Sequence, residues 1–250
     1  MPDLGIDAIG VAYAAHADHQ PVAALAEDYV LPLARLVAEA GGIPVERVWM
    51  LSPDTAADVA TQALAALGTP AGEQPLFLVR SGPLRDPYVV ELARLVHDAG
   101  WTGDDLGITH LDELGGTVVF DLLDWAVPAE TGATALICDE PQYTDALAGS
   151  VPLAAVALRL RRGPGPLHVL GCGEGRPGKA ARGGLTFTGA RACDGWLALH
   201  AALATGQVAD GERILLHTRG AAREGWLALE AVDAAGVHLA DAARTESRVP

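Results

Sequence analysis

Slid along itself by 79 positions, from Gly116 onto Gly195, the sequence matches without a gap: residues 117–125 fall on 196–204, Gly132 on Gly211, and Ala135-Leu136-Ile137 on Ile214-Leu215-Leu216. Each copy reads as an apolar helix followed by a buried strand. Any two helix–strand units share that rhythm, and the matching glycines are what mark these as copies. One such unit cannot bury its apolar faces alone, so a repeat at a single offset points to duplication of a larger block. The chain is therefore expected to fold as two pseudo-equivalent halves, residues 1–150 and 151–250, joined in one compact unit.

The remaining segments alternate in the same way. Residues 6–12, 48–51, 76–79, 108–111 and 133–138 are short apolar runs with strand character. Between them lie helical spacings. One follows Pro21, one runs from Ser52-Pro53 to Gly68, and one from Asp86-Pro87 to Gly100. Residues 151–160 and 167–170, joined by Gly163-Pro164-Gly165, read as an antiparallel hairpin. Residues 171–184 read as a glycine-rich loop, 194–205 as a helix, 213–217 and 226–232 as strands, and 243–250 as a tail. Alternating strands and helices with a late hairpin predict a layered α/β fold with a mixed sheet.

Composition narrows the function classes. Half of the 250 residues are apolar, enough for a packed core. The 17 basic against 32 acidic residues give a net charge of −15, which repels nucleic acid and anionic lipid alike. The apolar stretch 151–158 is far short of the roughly 20 residues a bilayer requires. Asp3 and Asp7 do not suit a secretory leader, so a cytoplasmic protein is expected. Cys138, Cys172 and Cys193 fit neither a disulfide framework nor metal-ligand spacing, and the run His16, Asp18, His19 reads as a solvated loop. Gly173 to Gly178-Lys179 has the spacing of a phosphate loop, but Ala180 stands where a hydroxyl is needed and Gly183-Gly184 would interrupt the helix. It reads as a surface loop.

The second copy resembles a known pattern. Ala198-Leu199, Gly206-Gln207-Val208, Gly211-Glu212-Arg213-Ile214-Leu215-Leu216 and the turn from Gly220 to Trp226 look like the C-terminal end of the ketoacyl synthase III enzymes. Residues 115–138 resemble the nucleophile helix and following strand of that family, and 151–160 the strand that closes its first half. The resemblance covers the chain well from Pro87 onward and the N-terminal part loosely. It implies a thiolase-like duplicated αβαβα layered sandwich with mixed sheets. The second half is shortened, because only residues 171–184 stand where the family carries a long segment.

The family's Cys-His-Asn constellation is not kept. The cysteine slot before the first buried helix holds Glu113 or Leu114, Thr188-Gly189-Ala190 stands where the family has its asparagine, and the chain contains no asparagine at all. The histidine belongs to the missing segment. Without an acyl-carrying nucleophile the covalent step is lost. The resemblance thus implies a degenerate subunit that pairs with an active ketosynthase, as chain-length-factor subunits do, in polyketide or fatty-acid-like biosynthesis. Cavity or interface positions would be Leu111, Asp112, Leu114 and Phe120, with Pro83 and Tyr88 in the preceding loop. An acidic acyl carrier protein would dock on the partner rather than on this acidic chain. The alternative is an acyltransferase, hydrolase or decarboxylase working on an acyl thioester through Glu113, His110 or Cys193. His110 and Asp112 share one face of an extended segment, and Cys193 precedes a helix, although Asp194 beside it opposes thiolate formation. No cofactor or metal is expected.

Overall fold

The computed structural model describes residues 3–14, 19–22, 30–42, 44–51, 58–70, 72–80, 91–109, 111–139, 143–145, 152–179, 181, 183–221 and 223–242. The expected division between halves, at residues 150 and 151, lies outside them, as does the expected tail. The first half runs β1 (Leu4–Ala14), β2 (His19–Pro21), α1 (Val30–Gly41), β3 (Val48–Leu51), α2 (Val59–Leu67), β4 (Leu76–Arg80) and α3 (Glu91–Asp98). It continues with β5 (Asp105–Ile108), α4 (Val119–Ala126), β6 (Ala133–Asp139), β7 (Tyr143–Asp145) and β8 (Leu153–Arg162), which follows the expected division at residue 150 but pairs with β1 and β6 of the first half. The second half is β9 (Leu167–Glu174), β10 (Leu185–Gly189), α5 (Asp194–Ala204), β11 (Arg213–Arg219), β12 (Glu224–Ala231) and β13 (His238–Asp241).

The main sheet shows the duplication more completely than the sequence does. Its order is β10-β11-β12-β9-β1-β8-β6-β4-β5. Read outward from the centre, β1, β8, β6, β4 correspond to β9, β12, β11, β10. Each half pairs its two inner steps antiparallel and its outer step parallel. The self-match covers only the α4–β6 and α5–β11 units, yet four strands repeat. Among the described residues β5 has no counterpart beside β10, which is where the second half falls short.

The segments around Gly163-Pro164-Gly165 do not form the expected hairpin. β1 lies between β8 and β9 and is antiparallel to both, so the chain keeps its direction and crosses over the end of β1. Gly163 N donates to Asp3 O at 3.0 Å, and a side chain at Gly5 would collide with the Gly165 backbone. The turn glycines serve this close crossing rather than a strand reversal. The expected strand at 108–111 lies earlier, at β5, and the expected loop from residue 171 begins only after β9 ends at Glu174.

Layering follows from burial. Every residue of β6 is buried, as in a strand covered on both faces. One face packs on α2, where Val59, Ala60, Ala63, Leu64 and Leu67 form a single apolar stripe. Asp58 caps that helix, its Oδ1 accepting from Thr61 N at 2.9 Å. The other face meets α4 and α5 in the larger core, which the two halves share. The described residues place no helix against the far side of β9–β12. No helix among them is long and apolar enough to cross a membrane.

Candidate functional site

The turn entering α4 is the most unusual stretch of backbone. Between β5 and α4 the chain forms a short 3-10 segment, Asp112–Gly116. Asp112 has φ 47° and is the one non-glycine residue with left-handed φ among the described residues. Such strain persists only where surroundings hold it, and it concentrates at functional sites. Asp112 Oδ1 is buried without a hydrogen bond, while Oδ2 lies 4.0 Å from Arg223 Nη1.

Arg223 organises this turn from the second half. Its backbone N–H donates to Glu113 Oε1 at 3.2 Å, and its guanidinium grips Glu174 with two hydrogen bonds of 2.9 and 3.0 Å. A side chain at Gly220 would occupy the space of the Glu113 carboxyl, so the β11–β12 turn is shaped around that carboxyl. The bond from Arg223 holds the Glu174 carboxyl below its ordinary range and raises the guanidinium in return. Leu114 and Phe120 are fully buried, Phe120 stacking on Trp196 with ring centroids 5.6 Å apart, and Leu111 packs at the margin of the same core. His110, Pro83 and Tyr88 lie outside the described residues, so the expected pairing of His110 with Asp112 does too.

The entrance to α5 is closed. Cys193 is fully buried, and its thiol points at Ile137 O (3.4 Å) and Ala154 O (3.7 Å). Burial pushes this thiol well up, and the Asp139 carboxylate adds to the effect. Asp139, itself buried, accepts from Cys193 N at 2.7 Å. Asp194 Oδ2 accepts from Ala190 N and Arg191 N, both at 3.0 Å. Burial likewise pushes the Cys172 thiol up to about 11, helped by Asp121 and Asp124. A thiolate is disfavoured at both positions. The two entrances touch: Trp196 Nε1 donates to Gly116 O at 2.7 Å, and a side chain at Gly116 would strike the Ala192 backbone. Among the described residues no group of three His, Cys, Asp or Glu side chains could hold a metal ion.

Sequence reasoning missed Arg223, Glu174 and Asp139. Asp139 had a signal, an acid closing the apolar run 133–138. Arg223 had none, since it meets Glu113 across 110 residues of chain.

No protein-family model matches the sequence, and no curated protein is significantly similar to it. Solved structures do match. ChlB3, an acyltransferase, is similar over 96% of this chain and 99% of its own, with 14% identity and TM-score 0.58. An HMG-CoA synthase complexed with CoA is similar over 94% of this chain and 83% of its own, with 11% identity and TM-score 0.59. An OleA variant from Xanthomonas campestris is similar over 91% and 98%, with 11% identity and TM-score 0.55. The chain has a thiolase-like fold. In this thiolase-like fold the two abutting helices α4 and α5 are the pseudo-equivalent central pair. The expected nucleophile position, Glu113 or Leu114, lies in the turn before α4, next to the backbone strain at Asp112.

Proposed function

We propose that this chain is a catalytically degenerate thiolase-fold subunit that pairs with an active ketosynthase and shapes the cavity in which the partner builds an acyl chain, in polyketide or fatty-acid-like biosynthesis. One observation carries the reading. The turn before α4 offers two carboxylates tied to Arg223 and a sealed leucine, where the resemblance puts a reactive thiol. No sulfur there can take an acyl group. The edge of β5 supports pairing: among the described residues it bonds only to β4, and it carries the exposed Leu106. The structurally similar acyltransferase and CoA-bound synthase support an acyl-thioester setting. The test is twofold. The purified chain, incubated with radiolabelled malonyl-CoA or acetyl-CoA and denatured, retains no label. Coexpressed with a full-length ketosynthase from the same genome, it copurifies and alters the length of the product. Covalent label on this chain, or no effect on product length, overturns the proposal.

A second reading is favoured by the strained Asp112 and its unpaired buried oxygen. It is an enzyme that hydrolyses or transfers an acyl group by acid–base chemistry at this turn. Thiol release from acyl-CoA that disappears in Asp112→Asn, with the fold intact, supports it. Equal rates in the two proteins sink it.

A further inference from the structure

The far side of the second-half sheet carries a built cluster that no part of the preceding site uses. On β11, Ile214 and Leu216 belong to the core between the halves, so alternation turns Leu215 and His217 to the opposite face. There the loop after β9 folds over the strands, burying Pro177, and leaves a cavity of about 680 Å³. Leu215 and Pro177 give it an apolar wall, and Arg176, Arg219, His217 and Glu224 its polar one.

The charge balance at this wall is incomplete. Glu224 is the carboxylate that faces all three basic groups: Oε1 is 2.8 Å from His217 Nε2 and 3.6 Å from Arg219 Nε, and Oε2 is 3.7 Å from Arg176 Nε. The two arginine separations are too long for hydrogen bonds. His217 is 5% exposed, and its Nε2, though near Glu224, is buried off the line that a hydrogen bond needs. One carboxylate therefore serves two guanidiniums and a buried imidazole. The covering loop adds to the excess, because its residues 175–179 include Arg176 and Lys179 and no acid, in a chain of net charge −15.

We propose that this cavity binds a small organic phosphomonoester, its phosphate held by Arg176 and Arg219 and its organic part resting on Leu215 and Pro177. Planar guanidiniums match the oxygens of a compact, doubly charged oxyanion. The cavity is larger than phosphate alone and falls within the roughly 300–1,000 Å³ of small-molecule sites. The loop contributes Arg176 and Pro177 over the sheet, and among the described residues no helix follows it as in a phosphate loop. The site shares no residue with the turn before α4, although Glu224 follows Arg223 in the chain.

The probes are phenyl phosphate, inorganic phosphate and benzoate, titrated calorimetrically into the full chain at pH 7. Phenyl phosphate is expected to bind more tightly than either of the others. Arg219→Gln and Arg176→Gln, at positions 65% and 85% exposed where the fold tolerates change, should each weaken it by about tenfold. Glu224→Gln should strengthen it, because a competing carboxylate is removed. No binding at about 10 mM phenyl phosphate, equal binding of benzoate, or affinity unchanged in both arginine variants overturns the proposal.

Discussion

The entrances to α4 and α5 are copies of one design with opposite outcomes. At α5 the first residue of the helix turn is sealed: Cys193 is buried, its N–H is capped by Asp139 from the other half, and Asp194 satisfies the preceding backbone. At α4 the equivalent residue, Leu114, is just as buried, but the turn before it is strained at Asp112 and its acidic side chains face Arg223 from the other half. Each half thus completes the helix entrance of its twin. A buried carboxylate from β6 caps one entrance, whereas a half-exposed arginine on the β11–β12 turn holds the half-exposed acidic residues before the other.

The largest effect that would break this comparison is expected at the contact between the two entrances. Gly116→Ala drives a methyl into the Ala192 backbone, and should cost about 3 kcal/mol, read from the denaturant midpoint. An unchanged midpoint would mean that the entrances are free to separate. Asp139→Ala strips the cap from the buried Cys193 N–H and should cost about 2 kcal/mol, the penalty of an unsatisfied buried donor. Cys193 should then be alkylated faster in the native protein, a readout that mere loosening elsewhere would not move.

A gain is expected on the strained side. Asp112→Gly removes the cost of a left-handed φ and should raise stability by about 1 kcal/mol, seen as a higher midpoint. If it lowers stability, the Asp112 carboxyl is doing more for the fold than the strain takes away. The smallest effect concerns the exposed Arg223–Glu174 pair. Because the folded Glu174 carboxyl lies below its ordinary value, the pair stabilises above the unfolded glutamate range, about pH 4.3, and its contribution is lost as pH falls through the folded value. Arg223→Gln should therefore flatten that part of the stability–pH curve while leaving the acid end unchanged. An identical curve would show that the pair is fully screened.

The helices and strands that repeat were legible because their signal is local. The run 117–125 and its copy are mostly apolar, as befits helices packed on the shared core, with Asp121, Leu122 and Trp125 on the outer side of the first, and 133–138 is a largely apolar strand. The apparent hairpin at Gly163-Pro164-Gly165 was misleading for the opposite reason. Two strands and a glycine turn look alike in sequence whether they pair with each other or admit a third strand, and here β1, about 150 residues away, fills the gap. The candidate site divides in the same way. Asp112, Glu113 and Cys193 stood out by type and position, but their partners Arg223 and Asp139 come from the opposite half and have no fixed spacing to them.

Amino-acid order alone carries the duplication, the α/β rhythm and the loss of a thiol before α4, since these depend on neighbours within a few turns of chain. Packing settles which helix entrance is sealed and which is strained, where β1 inserts, and how three basic groups come to share Glu224. Those outcomes depend on contacts between distant residues, whose free energy exists only once the two halves have closed on a common core.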